Sequence, residues 1–139
     1  MTESDLAWWT KLPKGVIRPA LAAVPDLVPV TVDGQPTLHV GEPGEHDATG
    51  VTLVPGFDEW ILGYSDRTLV ASPEAFAALV PGGNGVFRPA VLLDGVVVGS
   101  WRVPLKAGKP LDPIVDIVER VSAADRRRVH ASLAAWPHH

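Results

Sequence analysis

The 139 residues contain no cysteine, which excludes disulfides and thiolate metal sites. No apolar run approaches the ~18 residues that a membrane-spanning helix needs. Met1 is followed by Thr-Glu-Ser-Asp, where a secretory leader would carry basic and then apolar residues, so a soluble, cytoplasmic protein with no membrane partner is expected. No Gly-x-Ser-x-Gly elbow or serine triad is present. Gly82, Gly83 and Gly85 surround Asn84 but are followed by Val86-Phe87, not by the Lys-Ser/Thr of a phosphate loop. A dinucleotide fingerprint has to open a helix, and this cluster opens a strand. Its glycines are read as a sharp turn, with an anion nest as the lesser alternative. His39 and His46 lie near Glu42, Glu45 and Asp47 without ligand spacing, which reads as a solvated loop. His138 and His139 follow the last proline as a tail. Asp58 and Glu59 are adjacent, so in a strand they point to opposite faces and form no catalytic carboxylate pair. No cofactor and no metal are expected.

What is present is globular in composition, with 46% hydrophobic and 20% charged residues. The length suits one domain, or one domain with a small appendage. The net charge of -4 gives no general support to nucleic-acid binding, but it is unevenly spread. Residues 1–66 hold three Lys/Arg against ten Asp/Glu, and residues 67–139 hold nine against six.

The chain is organised around Pro81–Val103. Two β-branched runs, Val86–Leu93 and Val96–Val103, are joined by Asp94-Gly95. This pair predicts a type I′ turn, which needs φ > 0 at both central residues. A hairpin apolar on both faces belongs inside a closed or covered sheet. Upstream, Ser4 is placed as the N-cap of a helix over Asp5–Leu12 that Pro13 closes. A second helix lies within Lys14–Val24, and Pro19 either marks its first turn or kinks it. A one-sided hairpin, Leu27–Val40, turns at Asp33-Gly34. Two short helices and a two-stranded ribbon have the layout of the second half of a winged helix, with the second helix as the reader and the ribbon as the wing.

The predicted domains are 1–41, a partial winged helix with two helices and a wing hairpin; 42–50, a polar Gly/Pro linker; and 51–139. Within the last, Val51–Val54 is a strand, Phe57–Tyr64 is a helical turn or a strand, and Ser72–Leu79 is a capped helix. Lys106–Pro110 is a turn, Ile114–Val118 a strand, and the final helix after Ser122 buries Val129, Leu133 and Trp136. Asp58, Asp66, Arg67, Arg88 and Arg102 stand among apolar residues. An internal ion pair of Arg88 with Asp58 or Asp66 is one reading. The other has Arg88 and Arg102 on one rim, meeting phosphates. Lys11, Lys14 and Arg18 flank the N-terminal helices. Lys14 and Arg18 share a face that a winged helix would turn to DNA.

Two stretches carry a resemblance: LVPGFDEWILGYSDR, Leu53–Arg67, and PGGNGVFRPAVLLDGVVVGSWRV, Pro81–Val103. They are similar to the winged-helix DNA-binding family that contains the AlkZ-type DNA glycosylases. There the patterns LLPxFDxYLLGYxDR and NGxFxPxVLxDGxVxGxWR recur. The resemblance implies an α+β chain, a partial winged helix followed by a small antiparallel β-barrel closed by a C-terminal helix, matching the C-terminal portion of those proteins. It implies double-stranded DNA as partner, with Lys11, Lys14, Arg18, Arg88 and Arg102 as DNA-contacting candidates and no catalytic residue among them. The Gln-x-Gln or Gln-x-Asp motif of the glycosylases is absent, since Gln35 is the one glutamine. A non-catalytic DNA-binding role is therefore the leading expectation. The alternatives are part of a glycosylase for alkylated or crosslinked bases, with catalytic residues on another region, or a protein–protein scaffold for a winged-helix chain or for self-association.

Overall fold

The computed structural model describes residues 1–32, 34–44 and 49–136. It is a mixed α and β structure with antiparallel sheets, in two compact units: Met1–Asp47 with Glu59–Arg67, and Ala48–Asp58 with Thr68–His139.

The first unit begins with α1, Glu3–Thr10, whose N-cap is Thr2 and not the expected Ser4. A capping box needs an acceptor three residues on, and Asp5 supplies it for Thr2 whereas Ala7 could not for Ser4. Asp5 N donates to Thr2 Oγ1 at 3.0 Å, and Thr2 N donates back to Asp5 Oδ2 at 2.8 Å. α2, Lys14–Ala22, follows Pro13 directly and holds Pro19 inside the helix. β1, Leu27–Val32, pairs antiparallel with β2, Gln35–Val40, with Val30 opposite Thr37. Asp33 of the expected turn lies outside the described residues. Residues 59–67 lie beyond the expected linker, yet they pack with this unit. They form the short α3, Glu59–Leu62, which places Phe57–Tyr64 among helical turns. Asp5 is the tie. Its Oδ1 accepts from Ser65 N at 3.1 Å and Ser65 Oγ at 2.9 Å, while Trp8 Nε1 donates to Leu62 O at 3.0 Å.

In the second unit β3, Val51–Val54, β4, Ala90–Leu93, β5, Val96–Arg102, and β8, Ile114–Ile117, form one sheet in the order β3-β4-β5-β8. Asp94 and Gly95 have φ of 51° and 83°, the two positive values of the expected turn. Asp94 Oδ1 also accepts from Gly50 N at 2.7 Å, so the turn steadies the start of β3. The strand expected from Val86 is shortened to Ala90–Leu93, because Pro89 has no N–H for the ladder. A bulge between Val91 and Leu92 shifts the register, so Leu92 faces Val97. At Gly99 the neighbour β8 comes so close that an added Cβ would stand 2.1 Å from Asp116 O.

A ribbon of two-residue strands, β6, Leu105–Lys106, and β7, Lys109–Pro110, forms where a plain turn was expected. α4, Pro73–Leu79, is capped by Ser72, whose hydroxyl also donates to the Glu119 carboxylate. α5, Ala123–Ala134, lays Val129 and Leu133 on Val91, Val98 and Trp101. Trp101 Nε1 donates to Val54 O at 3.0 Å, and its ring lies 4.8 Å from that of Trp136. Among the described residues the sheet is open, with β3 and β8 at its edges, so the expected closed barrel is not found there. A helix, and not a further strand, covers the apolar face.

Two outcomes follow from these contacts. Gly99→Ala forces a Cβ into the backbone of β8, and Gly95→Val places a β-branched residue at positive φ. Each should destabilise by about 1–3 kcal/mol, lowering the thermal midpoint by several degrees in a circular-dichroism melt. Burial raises the Asp5 carboxyl pKa, but hydrogen bonds from Thr2 and Ser65 outweigh it and hold the group below its ordinary range. The unfolded chain therefore takes up this proton first, and the associated stability, present at neutral pH, fades as pH falls below about 4. Asp5→Asn should remove this acid-side slope, measured by denaturant midpoints from pH 7 to pH 3.

Candidate nucleic-acid interface

Alternation along β5 and β8 gives this sheet two chemically different faces. Trp101, Val115 and Ile117 belong to the α5 side. Ser100, Arg102, Ile114 and Asp116 therefore fall on the other. The ladder pairs Ala90 with Ser100, and Trp101 N donates to Pro89 O at 3.0 Å, so Arg88 lies one step further on, opposite Arg102. The two arginines, Ser100, Ile114 and Asp116 line a groove of about 530 Å³. Both arginines are exposed, and neither forms an ion pair among the described residues. Arg88 N is held by Leu79 O at 2.9 Å, and its side chain is exposed. Two guanidinium forks on one rim can grip phosphate oxygens, and Asp116, across from Ser100, bounds that positive field on one side.

The N-terminal cations are placed differently. Lys14 and Arg18 do share a face of α2, but that face meets Glu3. Arg18 Nε lies 3.1 Å from Glu3 Oε2, and Lys14 Nζ lies 3.8 Å from Oε1 and 3.0 Å from Ser4 Oγ. The Arg18 hydrogen bond holds the Glu3 carboxyl below its usual range and in turn raises the guanidinium. Lys11 adopts a left-handed C-cap and sets its ammonium 3.7 Å from the centre of the Trp8 ring. His39 Nδ1 sits 2.9 Å from Gly41 O, a distance that suits N–H donation. Glu45, His46, Asp47, His138 and His139 lie outside the described residues. No described helix is long and apolar enough to cross a membrane.

The model of a family described as DNA glycosylase AlkZ-like matches residues 1–138. The chain belongs to the AlkZ-like DNA glycosylase family. It is similar to an interstrand DNA cross-link repair glycosylase of Streptomyces sahachiroi, 31% identical over 83 residues, covering 56% of this chain and 22% of that protein. Among solved structures its fold is similar to Streptomyces sahachiroi DNA glycosylase AlkZ, with a TM-score of 0.65 and 24% identity. That match takes in 99% of this chain but 39% of AlkZ, so the chain spans about two fifths of the structure it resembles.

In this AlkZ-like chain the motif Leu53–Arg67 runs from β3 through a turn at Phe57 to α3 and Arg67. Arg67 Nε donates to Ile61 O at 2.7 Å, and its guanidinium lies 5.7 Å from the Trp8 ring centre. Burial lowers its pKa. It is a structural arginine, in contrast to Arg88 and Arg102. Sequence reasoning also missed Asp5, although Thr2-x-x-Asp5 is a capping pattern, and Phe57, whose left-handed backbone has no sequence signal. Arg67→Ala should lower the melting midpoint by several degrees, whereas Arg88→Ala and Arg102→Ala should leave it within about a degree, as surface changes do; thermal melts of the three variants check this.

Proposed function

We propose that this chain is the DNA-engaging portion of a DNA glycosylase-like repair protein, gripping damaged duplex DNA while base-excision chemistry comes from a glutamine-bearing region outside these residues. The family match over residues 1–138 carries the reading, and the absent Gln-x-Gln or Gln-x-Asp motif argues against excision by these residues alone. On this reading the first unit serves as the reader-and-wing half of a winged helix, with α2 as reader and β1–β2 as wing. The second is a barrel-derived scaffold. Its Arg88–Arg102 groove takes the phosphate backbone; Lys14 and Arg18 add less, because Glu3 already neutralises part of their charge, and Lys11 lies over Trp8. A cytoplasmic location belongs to the same reading and rests on membership of a DNA glycosylase family. The likeness to a cross-link repair glycosylase makes crosslinked or alkylated duplexes the substrate class.

A specific observation favours a second reading, a scaffold for a partner chain or a second copy. Trp9, Trp60, Tyr64, Glu59 and Met1 line an open, mostly apolar cleft of about 300 Å³ in the first unit.

Fluorescence anisotropy with a labelled duplex at low salt separates these readings. The DNA reading expects a dissociation constant of roughly 10⁻⁴–10⁻⁶ M that weakens steeply with salt. Arg88→Glu with Arg102→Glu should abolish binding, and neutralising both should flatten the salt slope by about 2. Lys14→Glu with Arg18→Glu should cost less. Purified protein alone should release no methylated purine. Absence of DNA binding, with self-association on a sizing column, would put the scaffold reading first.

A further inference from the structure

Phe57 stands in a backbone conformation that a bulky side chain rarely adopts, with φ of 62°. The usual relief would be a glycine. One is present a residue earlier, but Gly56 is needed where it is, since a Cβ there would lie 2.7 Å from Phe87 O. A strained aromatic of this kind could be explained by burial, yet Phe57 is 55% exposed. Its ring centre lies 6.0 Å from that of Phe87, tilted by 53°, and Phe87 in turn meets Phe76 edge-on at 6.0 Å. The ladder braces one side of the Phe57 ring and leaves much of it open to solvent. Phe87 directly precedes Arg88, and the Gly56 position also abuts Pro89 of the groove wall.

We propose that Phe57 is a stacking platform for an unpaired DNA base, held beside the Arg88–Arg102 groove that takes the adjoining phosphates. This inference rests on the DNA reading above and adds what the groove alone lacks, a π face that accepts any base. Backbone strain maintained at an exposed ring fits a ligand clamp better than a packing role, because packing would bury the ring and a plain turn would use Gly or Asn. An aromatic face next to a cationic track is the general chemistry of single-strand binding. Bases that leave the stack during repair offer such a surface.

The test uses the full chain and two probes: a single strand carrying 2-aminopurine, and a fully paired duplex of the same length. Wild type should quench 2-aminopurine fluorescence on binding. Phe57→Leu keeps apolar bulk without a π face and should lose the quench and roughly ten-fold in single-strand affinity, within the range measured for one base–aromatic stack. Its duplex affinity should stay within about two-fold. Phe57→Trp should keep the quench. Phe57→Gly, which relieves the backbone, should melt at or above wild type while binding the single strand as poorly as Phe57→Leu. Arg88-dependent duplex binding combined with an unchanged quench in Phe57→Leu or Phe57→Gly overturns this proposal and leaves the DNA reading standing. Binding of neither probe by wild type overturns both.

Discussion

β8 can lie against β5 only because residue 99 has no side chain. With the Asp116 carbonyl 2.1 Å from where a Cβ would sit, the ladder that pairs Gly99–Arg102 with Ile114–Ile117 needs a bare backbone at position 99. Once β8 is in place, Val115 and Ile117 complete the apolar surface on which α5 sets Val129 and Leu133. The same pleat sends Ile114 and Asp116 to the opposite face, where they wall the groove that holds Arg88 and Arg102. Core and candidate interface are thus two sides of one register. A one-residue slip would move charges into the core and core residues to the surface.

The first unit depends on a different device, one buried carboxylate. Asp5 closes the capping box of α1 with Thr2 and, with its other oxygen, takes both donors of Ser65. A group that is 6% exposed remains ionised because its hydrogen bonds are supplied from the local helix start and from residues sixty positions away. Arg67 acts in the same spirit, donating to the end of α3 and lying over Trp8. These polar ties make Glu59–Arg67 part of a unit from which it is separated in sequence. They also distinguish structural charges from free ones: Lys14 and Arg18 are engaged with Glu3, whereas Arg88 and Arg102 face solvent on a rim that phosphates can reach.

Membership of the AlkZ-like family and the open sheet meet at the motif around Phe57. The residues that make the motif recognisable serve three purposes in sequence: Val54 receives the Trp101 indole, Phe57 stands exposed in a left-handed turn, and Ile61 fills the core of the first unit. A single stretch therefore serves both units, and its exposed Phe57 ring lies 6.0 Å from that of Phe87, the residue before Arg88.

Local chemistry was decisive wherever a residue type admits few conformations. Asp94-Gly95 announces its turn because two successive positive φ values are tolerated by few pairs, and the apolar runs beside it announce a covered sheet. Ser72-Pro73 and Ser122 announce helix starts, and the Leu53–Arg67 and Pro81–Val103 patterns carry the family. The two-residue turn sets Leu93 opposite Val96 and by itself would place Arg88 opposite Trp101; the bulge at Val91/Leu92, which no local signal announces, is what brings Arg88 opposite Arg102. What the sequence by itself determined was thus most of the longer helices and strands, the central hairpin and the family. Tertiary structure alone decided that α5 covers the apolar face of the four-stranded sheet, that Asp5 reaches Ser65, that Glu3 engages Lys14 and Arg18, and that Phe57 keeps a strained exposed ring. The reason is physical: turns and caps are settled by neighbours a few bonds away, whereas strand closure, ion-pair partners and tolerated strain depend on which distant groups the packed chain brings within a few ångströms.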